Sequence, residues 1–114
     1  MRDAVLKYEF TPGTKPQNIV VRLNGPLTLL NLFGFQDQLR QIDTELIVFD
    51  FEHVPYMDSA GLGAVVNLYV STGNKGRKIA LAAVNTRVMS IFQQTKVDQV
   101  LSFFPNVEAA EASA

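Results

Sequence analysis

One stretch constrains this chain more than any other. An unbroken apolar run, Leu46-Ile47-Val48-Phe49, leads shortly into Asp58-Ser59-Ala60-Gly61-Leu62-Gly63. The run has the pattern of a strand covered on both faces. Beyond it Leu62, Val65, Val66 and Tyr69 recur at helical spacing, which predicts a helix over about 59–72. A buried strand that turns straight into an amphipathic helix calls for a layered α/β fold. The turn presents Ser59 at a helix N-terminus, where free backbone N–H groups and the macrodipole favour negative charge. A phosphate on Ser59 would be stabilised there and would change the surface by about −1.5 to −2 charges. The position thus has the chemistry of a switch. The simpler reading, that Ser59 or Asp58 only caps the helix for about 1 kcal/mol, stays open beside it.

The rest of the chain fits around this unit. Val5 to Phe10 alternates like a strand, Thr11 to Pro16 is a turn by composition, and Asn18 to Leu23 is a second strand. Gly25-Pro26 ends that hairpin. Leu32, Phe35, Leu39 and Ile42 are spaced for a helix running to about Gln41. Gly73 stands where a left-handed residue would close the second helix. Lys78 to Val84 is a strand, and Asn85 and Thr86 are N-cap candidates for a helix carrying Val88, Ile91 and Phe92. Val97 to Phe104 reads as a short strand or turn. Asn106 to Ala112 reads as a short helix, with residues 107–114 expected to fray. The order is β-β-α-β-α-β-α, and the βαβ step makes its two strands parallel. The expected fold is a mixed sheet with helices mainly on one face.

Composition bounds the function. At 114 residues the chain reads as one domain, and 47% apolar content supplies a core. A net charge of −1 gives no polyanion-binding face, which argues against nucleic acid. The absence of cysteine excludes disulfides and thiolate metal sites. No cofactor or metal is expected. No apolar segment has the length of a signal sequence or membrane span, so the expected location is the cytoplasm.

Other chemistry-bearing residues weigh less. A hydrolase serine wants a Gly-x-Ser-x-Gly elbow, whereas this one reads Met57-Asp58-Ser59-Ala60-Gly61, and His53 is the lone histidine. An enzyme is therefore not expected. Asp50 and Glu52 read as a strand end emerging into solvent. Gly73-Asn74-Lys75-Gly76-Arg77-Lys78 follows a helix and lacks the Lys-Ser/Thr ending of a phosphate loop. Gly61 and Gly63 each cost a helix about 1 kcal/mol, so either helix and sheet approach closely there or a partner does. The segment Leu27 to Phe35 has more apolar residues than one buried stripe needs. Leu29, Leu30 and Phe33 are the expected exposed surplus, as at an interface or dimer contact.

From Val5 to about Ala112 the chain resembles the STAS domain family, which includes sulfate-transporter tails and bacterial anti-sigma factor antagonists. The resemblance is carried by the strand Leu46 to Phe51, the aromatic-x-Asp-Ser-x-Gly-Leu-Gly loop Tyr56 to Gly63, and the later segments Lys78 to Val84, Val88, Ile91-Phe92 and Val97 to Phe104. It implies a mixed four- or five-stranded sheet with helices packed on one side. It further implies an antagonist that binds a serine-kinase anti-sigma factor, is phosphorylated by it on Ser59, and is reset by a phosphatase. Asp58, Ser59, Ala60, Gly61 and Leu62, with Asn85 and Thr86 from the neighbouring loop, are the implied partner surface. Two departures stand out. Gly25-Pro26-Leu27-Thr28 replaces an acidic residue common among antagonists and is closer to the transporter members, and Ala60 replaces a frequent Ser or Thr. The alternative implied is a stand-alone subunit of a transporter complex that binds through Leu29, Leu30 and Phe33 without phosphorylation.

Overall fold

The computed structural model describes residues 6–31 and 33–113. The elements in order are β1 (Lys7–Pro12), β2 (Asn18–Asn24), a 3-10 turn (Leu29–Asn31), α1 (Phe33–Leu39), β3 (Leu46–His53), α2 (Ser59–Gly73), β4 (Lys78–Ala82), α3 (Thr86–Gln94), a second 3-10 turn (Val97–Gln99), β5 (Ser102–Phe104) and α4 (Val107–Ala112). The strands form one five-stranded sheet in sequence order, β1-β2-β3-β4-β5. β1 is antiparallel to β2, and every other pair is parallel. The expected mixed sheet is therefore present, and β3 lies at its centre.

Alternation along the strands divides the core into two layers. Val21, Leu23, Ile47, Phe49, Ile79 and Leu81 face α1, α2 and α3, and pack with Phe35, Leu39, Ala64, Val65, Val88 and Phe92. The intervening residues Val20, Leu46, Val48, Ala80 and Ala82 face the other way and pack on Ala110 of α4. With both its faces buried, β3 uses the whole of its apolar run. Three helices cover one face, and one short helix covers part of the other. Residues 107–112, expected to fray, instead dock. Asn106 caps α4 through its Oδ1, which accepts the Ala109 N–H at 2.8 Å. The buried Glu111 then accepts the Thr14 N–H at 2.8 Å and Asn18 Nδ2 at 3.4 Å.

Other boundaries move for local reasons. The first strand lies two residues further on than the alternation predicts, at Lys7–Pro12; Val5 lies outside the described residues. The first helix is shorter than predicted, because the Gln41 and Ile42 amides already bond Gln38 and Leu39 in tight turns. Gly73 is the last residue of α2 itself, and the cap Asn74 is right-handed. The left-handed residue is Gly76, with φ 73° in the turn to β4. Asp50 does not emerge into solvent. It is 6% exposed and pairs with Arg22 across the β2–β3 register at 3.1 Å, so the strand end begins only at Glu52.

Candidate functional site

The C-terminal end of β3 lies between two neighbouring loops, and three segments meet there. The Gly25 N–H donates to the His53 carbonyl at 3.0 Å, and the Leu27 N–H donates to the Tyr56 carbonyl at 3.1 Å. The Asp58 N–H returns a bond to the Leu27 carbonyl at 3.2 Å, so Leu27 and Met57 form a short parallel bridge. The segment after β2 is thereby held against the start of α2.

Asp58, not Ser59, is the N-cap of α2. Its backbone is extended, and its Oδ1 accepts the Gly61 N–H at 3.0 Å. Its Oδ2 accepts the Leu29 N–H at 3.1 Å. One carboxylate thus caps the helix and fixes the Leu27–Leu29 segment. Ser59 follows as the first helical residue and is exposed. The capping role is therefore filled without it, and its hydroxyl has no hydrogen-bonded base among the described residues. The His53 imidazole lies 3.8 Å from Glu52 rather than on the serine. The Gly61 and Leu62 amides are taken by Asp58, which leaves those of Ser59 and Ala60 at the open end of the helix dipole.

The two helix glycines separate here. A Cβ on Gly61 would run into the Leu27 carbonyl oxygen and Met57, so this glycine exists for close approach of α2 to the Leu27 segment. Gly61 is buried and shapes the surface from beneath. A Cβ on Gly63 would meet nothing within 4 Å.

Asn85 and Thr86 arrive on the third segment. Asn85 caps α3 through Oδ1, which accepts the Val88 N–H at 2.8 Å, while its Nδ2 donates to the Val54 carbonyl at 2.9 Å. The start of α3 is thus tied to the loop that leads to Ser59. Just before it, Ala83 sits at φ 58°, a left-handed position that a non-glycine residue occupies only under constraint. Its N–H bonds the Phe104 carbonyl at 3.0 Å, which pins the turn. Arg87 lies with its guanidinium 5.3 Å from the Tyr56 ring centre, which adds a cation to this end of the molecule. Sequence reasoning missed Arg87, because no local signal joins residues that far apart in the chain. It also missed the Leu29 amide, although the cost of Gly61 in a helix pointed towards a close approach. A shallow hollow lined by Gly25, Pro26, His53, Pro55 and Asn85 adjoins the site and is open to solvent. The arrangement is an open surface built from three chain segments, not an enclosed cleft.

Leu29 and Leu30 stand next to this site through the Asp58–Leu29 bond. Leu29 is 57% and Leu30 70% exposed, as the apolar surplus predicts. The Phe33 side chain lies outside the described residues. Among the described residues, no helix is long and apolar enough to cross a membrane.

Comparison with known proteins gives the class. The STAS domain model matches residues 8–110, and the chain belongs to the STAS domain family. The anti-sigma F factor antagonist of Paenibacillus polymyxa is 24% identical over 92 residues, covering 77% of this chain and 79% of the relative. An anti-sigma factor antagonist from Mycobacterium paratuberculosis superposes with a TM-score of 0.84 at 14% identity, over 95% of this chain and 92% of that one. The Bacillus cell fate determinant SpoIIAA in its phosphorylated form gives 0.73 at 18% identity, over 95% and 100% of the two chains. A sulfate transporter family protein from Wolinella succinogenes gives 0.71 at 19% identity, over 90% and 92%. The structural likenesses establish the fold. With the curated relative they mark an anti-sigma-factor-antagonist-like STAS domain that also shares its architecture with a transporter-family protein.

Proposed function

We propose that this protein is a phosphorylation-controlled binding module of the anti-sigma factor antagonist kind. It binds a serine-kinase anti-sigma factor in the cytoplasm through Asp58, Ser59, Ala60, Leu62, Asn85 and Thr86, over the platform made by Gly61. Phosphorylation of Ser59 by that kinase releases it, and a phosphatase restores it. The observation that carries the reading is the exposed Ser59 hydroxyl at the first position of a 15-residue helix, next to a cap that does not need it.

The physics of release follows from that placement. The unmodified surface presents the small Ser59 and Ala60 beside an Asp58 carboxylate whose two oxygens are already taken by backbone amides. A dianion there would be held by the free end of the α2 dipole in the isolated protein. Against a partner it would be buried without a counter-charge and beside the Asp58 carboxylate. Such burial costs several kcal/mol, and each ~1.4 kcal/mol lowers affinity tenfold. The test pairs affinity capture from the source cells on wild-type, Ser59→Ala and Ser59→Asp baits with phosphosite mapping of the native protein. A kinase held by wild type and Ser59→Ala, lost on Ser59→Asp, with phosphate on Ser59, is expected. Equal capture on wild-type and Ser59→Asp baits would overturn the reading.

A second reading has its own observation, the exposure of Leu29 and Leu30. A transporter-type or scaffold partner would take that apolar surface without modification. It predicts a partner retained by Ser59→Asp and lost on Leu30→Glu.

A further inference from the structure

We infer that the outer face of α2 is a homodimer seam, on which a second copy of this chain packs antiparallel. The helix has the sequence Ser59-Ala-Gly-Leu-Gly-Ala-Val-Val-Asn-Leu-Tyr-Val-Ser-Thr-Gly73, without one charged residue over its 15 positions. Its inner face, with Gly61, Ala64, Val65, Leu68 and Thr72, is turned to the sheet. A surface helix normally places charges on the side opposite. Here that side carries Gly63, the half-buried Val66, Val70 and Gly73, in line with Ser59 at alternating steps of four and three residues, and the exposed but uncharged Asn67 and Ser71 flank the line. Val70 is 53% exposed, and nothing lies within 4 Å of a Cβ built on Gly63 or Gly73. Tyr69 and Val100 add exposed apolar area along a groove beside the C-terminal half of the helix, whose far wall carries Arg77 and Lys78.

The spacing selects the occupant. Gly63, Val66, Val70 and Gly73 read the same in both directions, with steps of three, four and three. A two-fold axis at the level of Leu68 sets Gly63 against Gly73 of the other copy and Val66 against Val70. An isologous contact needs such self-complementarity. The four-three spacing suits the shallow crossing of paired helices, and glycine at each end lets the backbones close up around the valines. A charge-free helix meets its own copy with no like-charge repulsion, whereas it offers nothing to steer a charged partner. The seam is about 22 Å long, a single helix length, so association is sought from micromolar concentrations upward. Because Ser59 continues the same face, a partner gripping Ser59 along α2 would compete with the second copy.

Sedimentation velocity on the purified chain, over a micromolar-to-millimolar series, tests this without any kinase, so its failure leaves the Ser59 reading intact. Wild type is expected to pass from monomer to dimer. Val70→Glu is expected to weaken association by about a hundredfold, with an unchanged circular dichroism spectrum. A second measurement stands even if that variant misfolds. The chain has no cysteine, and both glycine positions have room for one. Chains carrying Gly63→Cys and Gly73→Cys should form a disulfide when mixed under oxidation, and neither should do so alone. Two copies of position 63 lie about 15 Å apart along an antiparallel seam, beyond the ~4.4–6.8 Å Cα reach of a disulfide. A wild type that stays monomeric, a Val70→Glu dimer as strong as wild type, or cross-linking of either cysteine chain by itself would overturn the inference.

Discussion

Asp58 uses both carboxylate oxygens on backbone amides, one in its own helix and one in the Leu27–Leu29 segment. Asp58→Ala removes both bonds and is expected to cost about 1–3 kcal/mol in urea unfolding, more than a lost cap alone. The two helix glycines predict opposite signs. Gly61→Ala forces a methyl into the Leu27 carbonyl and Met57, and should destabilise by about 1–3 kcal/mol although alanine favours helix. Gly63→Ala meets open space and should stabilise the isolated chain by up to about 1 kcal/mol. The same unfolding curves measure both, and equal shifts in one direction would contradict the geometry. The penalty shared by these glycines was legible in the residue order. Which one answers to packing was not, because the Leu27 carbonyl reaches Gly61 only through the fold.

At the level of elements, caps and latches hold the helices where the site needs them. Asn85 fastens α3 both to itself and to the Val54 carbonyl. Asn85→Ala should therefore cost about 1–2 kcal/mol and increase amide exchange at both Val88 and the 53–57 loop. A plain cap would loosen Val88 only. Glu111 joins α4 to the hairpin turn through Thr14 and Asn18. Glu111→Ala should lower stability by about 1–3 kcal/mol, since it strands the buried Asn18 amide and frees the hairpin turn at Thr14. The helix α4 illustrates what pattern reading misses. Its Ala- and Glu-rich residues look like a solvated tail, yet alanine is small enough to lie flat on Val20, Val48 and Ala80. Asp50 erred in the same way, because a carboxylate at a strand end reads as exposed until Arg22 is found beside it.

For the whole molecule, the switch and the fold are separable. Ser59 is exposed and its hydroxyl bonds nothing among the described residues, so Ser59→Asp should leave the unfolding free energy unchanged or raise it by up to ~1 kcal/mol through the helix dipole. A thermal scan that shows a large fall in Tm would mean that lost binding by this variant reflects unfolding rather than recognition. The residue order alone marked β2, β3, β4 and the strand–turn–helix unit, because hydrophobic period is a local property of the chain, whereas it left Val97 to Phe104 open between strand and turn and showed neither 3-10 turn. It also placed Ser59 at a helix start. Only the tertiary structure decided that Asp58 is the cap and bridges to Leu29. The same holds for the joining of Asn85 to Val54, the layer of Arg87 over Tyr56, and the cover that α4 gives the second face of the sheet. Apart from the cap itself, each of these joins residues far apart in sequence, and their approach is set by the mixed sheet that carries them to one end or one face.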